Sequence, residues 1–208
     1  MPFDLDPVEA RVLGCLIEKE MATPDYYPLS LNALVNACNQ KSSREPLMAL
    51  TDDAVTLALD KLRHRGMALV YSSGRDSRVP KHGHRLVERL EVGNRELAVL
   101  ACLLLRGPQT LGEIRARTQS LYDFEDTESV EGVLRKLGER PEPLTKPIAN
   151  RWAHLLSGDV VGFTPAAPVV VTAIGSDRVA KLEEQVADLT DRLAKLESEM
   201  AAFRKQFE

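Results

Sequence analysis

Apolar residues recur at helical spacing through three successive stretches, and the same three patterns return later in the chain. Val8, Val12, Leu13, Leu16 and Ile17 mark one buried stripe, running to about Lys19. Within it, Glu9-Ala10-Arg11-Val12-Leu13-Gly14-Cys15-Leu16 reappears as Glu96-Leu97-Ala98-Val99-Leu100-Ala101-Cys102-Leu103. Ser30-Leu31-Asn32-Ala33-Leu34 reappears as Thr110-Leu111-Gly112-Glu113-Ile114, and Val55 to Leu62 as Val130 to Leu137. Three helical patterns in one order, twice, predict a duplicated small domain. Asp6 or Asp4 is placed to cap the first helix, with Pro7 in its first turn. Ser30 caps a second helix to about Ala37. Thr51 opens a third that ends near Gly66 and turns Val55, Leu59 and Leu62 inward. The second copy starts near Gly93-Asn94, breaks at Gly107-Pro108, resumes at the Thr110 cap and begins its third helix at Asp126-Thr127-Glu128.

Between the copies the period changes. Met67 to Tyr71 reads as a strand, and Arg78 to Leu86 as its return, interrupted by Pro80 and Gly83. A second hairpin is expected over Leu144 to Leu156, with little room for a tip. Three helices followed by a strand pair suggest a winged helix. The predicted class is mainly α with small β-hairpins (α+β): a first winged-helix domain over 1–90, a second over 91–158, a flexible linker over 159–176 and a coiled-coil helix over 177–208. In the last segment Val179, Leu182, Val186, Leu189, Leu193, Leu196, Met200 and Phe203 step by three and four, a heptad seam. Valine at the first two a positions with leucine at d, and attractive pairings of Arg192 with Glu197 and Glu199 with Arg204, predict a parallel homodimer, the alternative being a lone amphipathic helix packed on its own chain.

Charge refines this picture. The net charge is −4, so the whole chain is not built to coat nucleic acid, and 5% aromatic content argues against a stacking platform for single strands. The basic excess is local: between 63 and 89, Arg63, Arg65, Arg75, Arg78, Lys81, Arg85 and Arg89 face only Asp76 and Glu88. The third helices, by contrast, begin with Asp52 and Asp53, and with Asp126 and Glu128, which suit a helix N-terminus better than a phosphate. The hairpin is therefore the better nucleic-acid candidate, through Arg75, Arg78, Lys81 and Arg85 with Arg63 beside it. Lys41 and Arg44, in the polar stretch Asn39 to Pro46, either join that contact or belong to a loop that satisfies itself and caps the third helix. Three cysteines form no closed disulfide set; Cys15 and Cys102 sit at matching apolar positions and read as buried thiols. With no signal-like start and no long apolar run, a cytoplasmic protein without a membrane segment is expected. No catalytic constellation, phosphate loop or metal-ligand spacing stands out, so neither an enzyme nor a cofactor or metal is expected.

Glu9 to Lys19, Thr23-Pro24-Asp25-Tyr26-Tyr27-Pro28-Leu29-Ser30, Cys38 to Pro46, Leu103 to Thr110 and Ala153 to Gly158 together resemble the YceH-like family of bacterial proteins, over residues 5 to about 160. That resemblance implies tandem winged helices, often with a short coiled coil behind them. The chain departs from the family pattern in its second wing, where the expected basic, glycine-containing tip is shortened to Thr145 to Asn150. The functional expectation is a non-enzymatic, DNA-binding or transcription-regulatory protein with weak sequence preference. The alternative is a protein-interaction scaffold, by fold-level analogy to acidic winged-helix proteins of chromosome segregation.

Overall fold

Side-chain caps start most of the helices. In the computed structural model, which describes residues 3–71 and 79–159, the Asp6 carboxylate accepts from the backbone N–H groups of Val8 and Glu9. Glu9 accepts in turn from the Asp6 N–H, so α1 (Pro7–Ala22) opens on a reciprocal capping box. Ser30 caps α2 (Leu31–Cys38) and Thr51 caps α3 (Asp52–His64). Gly66, at φ 70°, then turns the chain into β2 (Ala68–Tyr71). β3 (Lys81–His84) returns antiparallel to it, and β1 (Leu29–Ser30) pairs on the other edge, giving the order β1-β3-β2.

The return strand is shorter than its sequence suggests. It stops at His84, and α4 (Leu86–Leu90) follows in place of further strand. The reason is local: His84 Nδ1 accepts from the Leu86 N–H at 3.2 Å, which takes the chain out of the ladder, and Leu86 and Leu90 then bury as an i,i+4 pair. Gly83 is needed where it stands. A Cβ there would lie 2.7 Å from the Tyr71 ring and 2.8 Å from the Tyr27 hydroxyl, which accepts from the His84 N–H.

The second copy repeats the first with less strand. α5 (Asn94–Arg106), α6 (Leu111–Thr118) and α7 (Thr127–Gly138) precede the hairpin of β4 (Thr145–Ile148) and β5 (Arg151–His154). Thr110 and Asp126 cap α6 and α7 as their types predict. Only Ala149 and Asn150 join the two strands, so the short second tip is as expected. Gln109 forms a bridge with Trp152 in the place that β1 takes in the first copy. The described part of the chain is thus mixed α/β, mainly helical, with two small antiparallel sheets.

The two copies share a single apolar core. α5 buries every residue from Leu97 to Leu105, so no polar face remains on that stretch; its own copy covers one side and α1 another. The crossing is close at Gly14, where a Cβ would fall 2.9 Å from the Leu105 side chain. Two backbone bonds also join the copies: the Leu5 N–H donates to the Leu156 carbonyl at 2.9 Å, and the Glu45 N–H to the Leu105 carbonyl at 2.8 Å. Cys15, Cys38 and Cys102 are all buried thiols. Among the described residues no helix is long and apolar enough to cross a membrane. The heptad seam from Val179 to Phe203, almost all of the linker, and Arg75 and Arg78 lie outside the described residues.

Burial at the end of β5 has a consequence for pH. His154 is partly buried, its covered Nδ1 finds no hydrogen-bond partner, and desolvation pushes its pKa down to about 4. In the unfolded chain a histidine titrates near 6.5. As pH falls below about 6.5 the unfolded chain takes up a proton that the folded chain refuses until about pH 4. Stability is therefore full above that window and is lost through it, by roughly 2 kcal/mol at pH 4.5. Denaturant titrations at pH 7 and pH 4.5 should show His154→Leu losing less than the parent by that amount. Equal losses would show that His154 is not the responsible group.

Candidate nucleic-acid interface

The outward side of α3 combines carboxylates with cations that are already engaged. Lys61 Nζ lies 2.8 Å from Asp6 Oδ2, and Arg63 Nη1 lies 3.0 Å from Asp60 Oδ1. Arg65 bonds the Glu9 carboxylate at 3.3 Å and the Asp4 carbonyl at 3.2 Å. Asp52 and Asp53 stand exposed at the front of the helix, and Leu57 is 59% exposed between them and Asp60. Exposed pairs such as Arg63 with Asp60 are weak in water, but they neutralise the charge a phosphate would seek.

The hairpin behind α3 is different. Lys81 opens β3 half-buried, Arg85 is exposed just after its end, and neither enters an ion pair among the described residues. Between the end of α3 and β2 lies a cleft of about 370 Å³, lined by Asp60, Arg63, His64, Ala68, Leu69 and Val70. His82, next to Lys81, borders the same region. Its burial lowers its pKa, the Arg63 charge lowers it further, and Asp60 opposes the shift. Lys81 pairs with Tyr71 at the far end of the first hairpin and the Arg85 N–H donates to the Met67 carbonyl at its base, while Arg75 and Arg78 lie outside the described residues.

Lys41 and Arg44 do not join the hairpin cations as a pair. Lys41 is exposed, whereas the Arg44 side chain is wholly covered. Its guanidinium donates to both Glu18 carboxylate oxygens at 3.0 and 2.6 Å, to Gln40 Oε1 at 2.9 Å, and to the carbonyls of Ala37 and Ser43. Burial disfavours its charge, but the Glu18 carboxylate overcomes this and holds its pKa above the ordinary value. Arg44 is therefore corrected from a phosphate ligand to a structural cation: every donor direction is used inside the fold.

The same network contains residues that the hydrophobic pattern concealed. Arg11, 1% exposed in the middle of α1, donates to the carbonyls of Cys38 at 3.0 Å and Pro46 at 2.5 Å. The Asn39 side chain closes the loop on both the N–H and the carbonyl of Leu50. The loop from Asn39 to Pro46 satisfies itself, and through Glu45 it also reaches α5. One signal in the sequence pointed there: Arg11 stands within the buried stripe from Val8 to Ile17 and needs partners. Among the described residues, no group of three or more His, Cys, Asp or Glu side chains is arranged to hold a metal ion.

A family model described as "Protein of unknown function, DUF480" matches residues 5–153. A UPF0502 protein of Pelobacter propionicus is 49% identical over 221 residues, covering 100% of both chains. A UPF0502 protein of Solibacter usitatus is 49% identical over 196 residues, covering 91% of this chain and 94% of its own. Another, from Geobacter sulfurreducens, is 48% identical over 221 residues and 100% of both chains.

Proposed function

The chain belongs to the DUF480 family, and on that premise we propose that its two copies are winged helices and that the protein binds the backbone of double-stranded DNA through its first hairpin. The order of helix, short extended segment, helix, helix and hairpin supports the winged-helix reading in both copies. The observation that carries the DNA reading is the division of cations. Those on and just after α3 are tied to Asp6, Asp60 and Glu9, while Lys81 and Arg85, at the two ends of β3, are in no ion pair among the described residues, and the sequence between β2 and β3 adds Arg75 and Arg78. Contacts of this kind hold phosphates, not base edges, so sequence preference is weak and salt dependence strong. A homodimer through the heptad seam from Val179 to Phe203 would present two such hairpins to one duplex.

The test is the fourfold variant Arg75→Ala, Arg78→Ala, Lys81→Ala, Arg85→Ala. It should bind every duplex at least about tenfold more weakly, and its salt slope should fall by about 3. Unchanged affinity would remove the hairpin from the mechanism. One observation favours a second reading. Leu57 and Leu47, 59% and 53% exposed on and just before an acidic helix, suit a protein partner better than a nucleic acid. In that reading the protein is a scaffold, and the fourfold variant is silent because DNA does not bind at all.

A further inference from the structure

β2 is the outer strand of the first sheet, and its outward main-chain groups open into a cleft. The order β1-β3-β2 leaves one side of β2 unpaired. The Arg85 N–H donates to the Met67 carbonyl at 2.9 Å, and bonding alternates along an antiparallel pair. Leu69 and Tyr71, opposite Gly83 and Lys81, therefore turn their N–H and carbonyl groups toward β3, and Ala68 and Val70 turn theirs outward. Among the described residues no backbone group bonds to that outward side. The cleft of about 370 Å³ runs along this edge: Ala68, Leu69 and Val70 line it in succession, whereas a face of the strand would offer only every second residue. Asp60, Arg63 and His64, from the last turns of α3, form the opposite wall. Ala68 is only 5% exposed, a setting in which a main-chain donor and acceptor need fixed partners.

The second copy closes the same edge. Its hairpin keeps the register: Ala68 and Val70 oppose His84 and His82, and Thr145 and Pro147 oppose His154 and Trp152. Pro147 thus stands where Val70 stands and has no N–H to offer, a common way to shut a sheet edge. The repeat of Val55 to Leu62 as Val130 to Leu137 likewise sets Gly138 at the place of Arg63. Gly138 ends α7 against the strand, so near that a Cβ would fall 3.0 Å from the Thr145 carbonyl oxygen. In the first copy Arg63 stands there instead. Its Nη1 donates to Asp60 at 3.0 Å, and its Nε and Nη2 make no hydrogen bond among the described residues. One edge is sealed by a proline and a closing helix end, and the other is open beside a guanidinium with unspent donors.

We propose that the β2 edge takes up an extended peptide segment of a protein partner as a fourth strand, with an acidic side chain of that segment set against the free side of the Arg63 guanidinium. Strand addition supplies the alternating donors and acceptors that the Ala68 and Val70 main chain requires, and a carboxylate matches the planar fork of Arg63. A DNA backbone offers acceptors alone and leaves the outward carbonyls unmatched. The site uses neither Lys81 and Arg85 nor Leu57, so it stands or falls separately from both readings of the function given above.

The experiment pans a random-sequence peptide display library on full-length protein and measures the enriched peptides, synthesised and labelled, by fluorescence anisotropy. Sequences rich in β-branched residues and carrying an Asp or Glu are expected. Val70→Pro copies Pro147: it removes the outward N–H and spares the bonds to β3, and it should weaken binding by at least about tenfold. Val70→Ala keeps that N–H and should keep the affinity within about threefold, while Arg63→Gln should lose about tenfold. Amide hydrogen exchange on the parent protein needs no variant: saturating peptide should slow exchange at Ala68 and Val70. A library that enriches no peptide, full affinity in folded Val70→Pro or Arg63→Gln, or protection of those two amides by a random-sequence duplex instead of the peptide would overturn the proposal.

Discussion

Arg44→Ala is expected to lower the unfolding free energy by about 3–5 kcal/mol, the largest loss of any single change outside the apolar core. The side chain is fully covered and makes five hydrogen bonds, two of them to one carboxylate. Removing it leaves the largely covered Glu18 carboxylate with only Lys19, at 3.4 Å, as a cation, and it strands the carbonyl of Ala37. The loop it braces also carries the Glu45 N–H to Leu105, so the damage reaches the joint between the copies. Lysine is no substitute, since one ammonium cannot meet a bidentate carboxylate and two carbonyls at once. Urea titration at neutral pH reads the effect directly. With total stabilities of about 5–15 kcal/mol typical for folded proteins, a loss of this size should be visible even as a lowered yield of folded protein. A loss below about 1 kcal/mol would mean that water replaces the network at little cost.

Gly14→Leu should cost about 3 kcal/mol by a different route. Nothing polar is involved: an added side chain meets Leu105 Cγ and Cδ2 at 2.9 Å and Leu104 Cβ at 3.1 Å, where α1 crosses α5. Both helices are buried along this contact, so neither moves away without opening the common core. Gly14→Ala already places that Cβ, so it should also destabilise, by less than Gly14→Leu because gained helix propensity offsets part of the clash. Gly132→Ala supplies the control: it also sits inside a helix, yet a Cβ there meets nothing within 4 Å, and about 0.5–1 kcal/mol of stabilisation is expected. If Gly14→Leu were as harmless as Gly132→Ala, the two copies would not pack as described.

These two sites mark the limits of what the sequence makes legible. The repeated helices and their caps at Asp6, Ser30, Thr51, Thr110 and Asp126 follow from periodicity and from side chains that accept backbone N–H bonds, both local properties. β1 and the Gln109 to Trp152 bridge were not legible, because two residues cannot show an alternation. α4 was hidden for a similar reason: its five residues extend what reads as a strand, and only the His84 Nδ1 contact ends that strand early. The site divides in the same way. Net local charge pointed to the hairpin, where Arg85 is exposed and Lys81 half-buried. It also pointed to Arg44, where composition sees a cation and the fold supplies Glu18 from 26 residues away. Spending or sparing a cation is a tertiary property.

The central claim is that the uncommitted cations of the first hairpin hold a DNA backbone. Fluorescence anisotropy of full-length protein on a random-sequence duplex, titrated at about 50 mM and about 200 mM salt, tests it most directly. The account predicts micromolar binding at the lower salt and a loss of roughly fifty-fold at the higher, as three or more phosphate contacts require. Absence of binding at the lower salt would contradict it and turn attention to Leu57 and the acidic face of α3 as a surface for a protein partner.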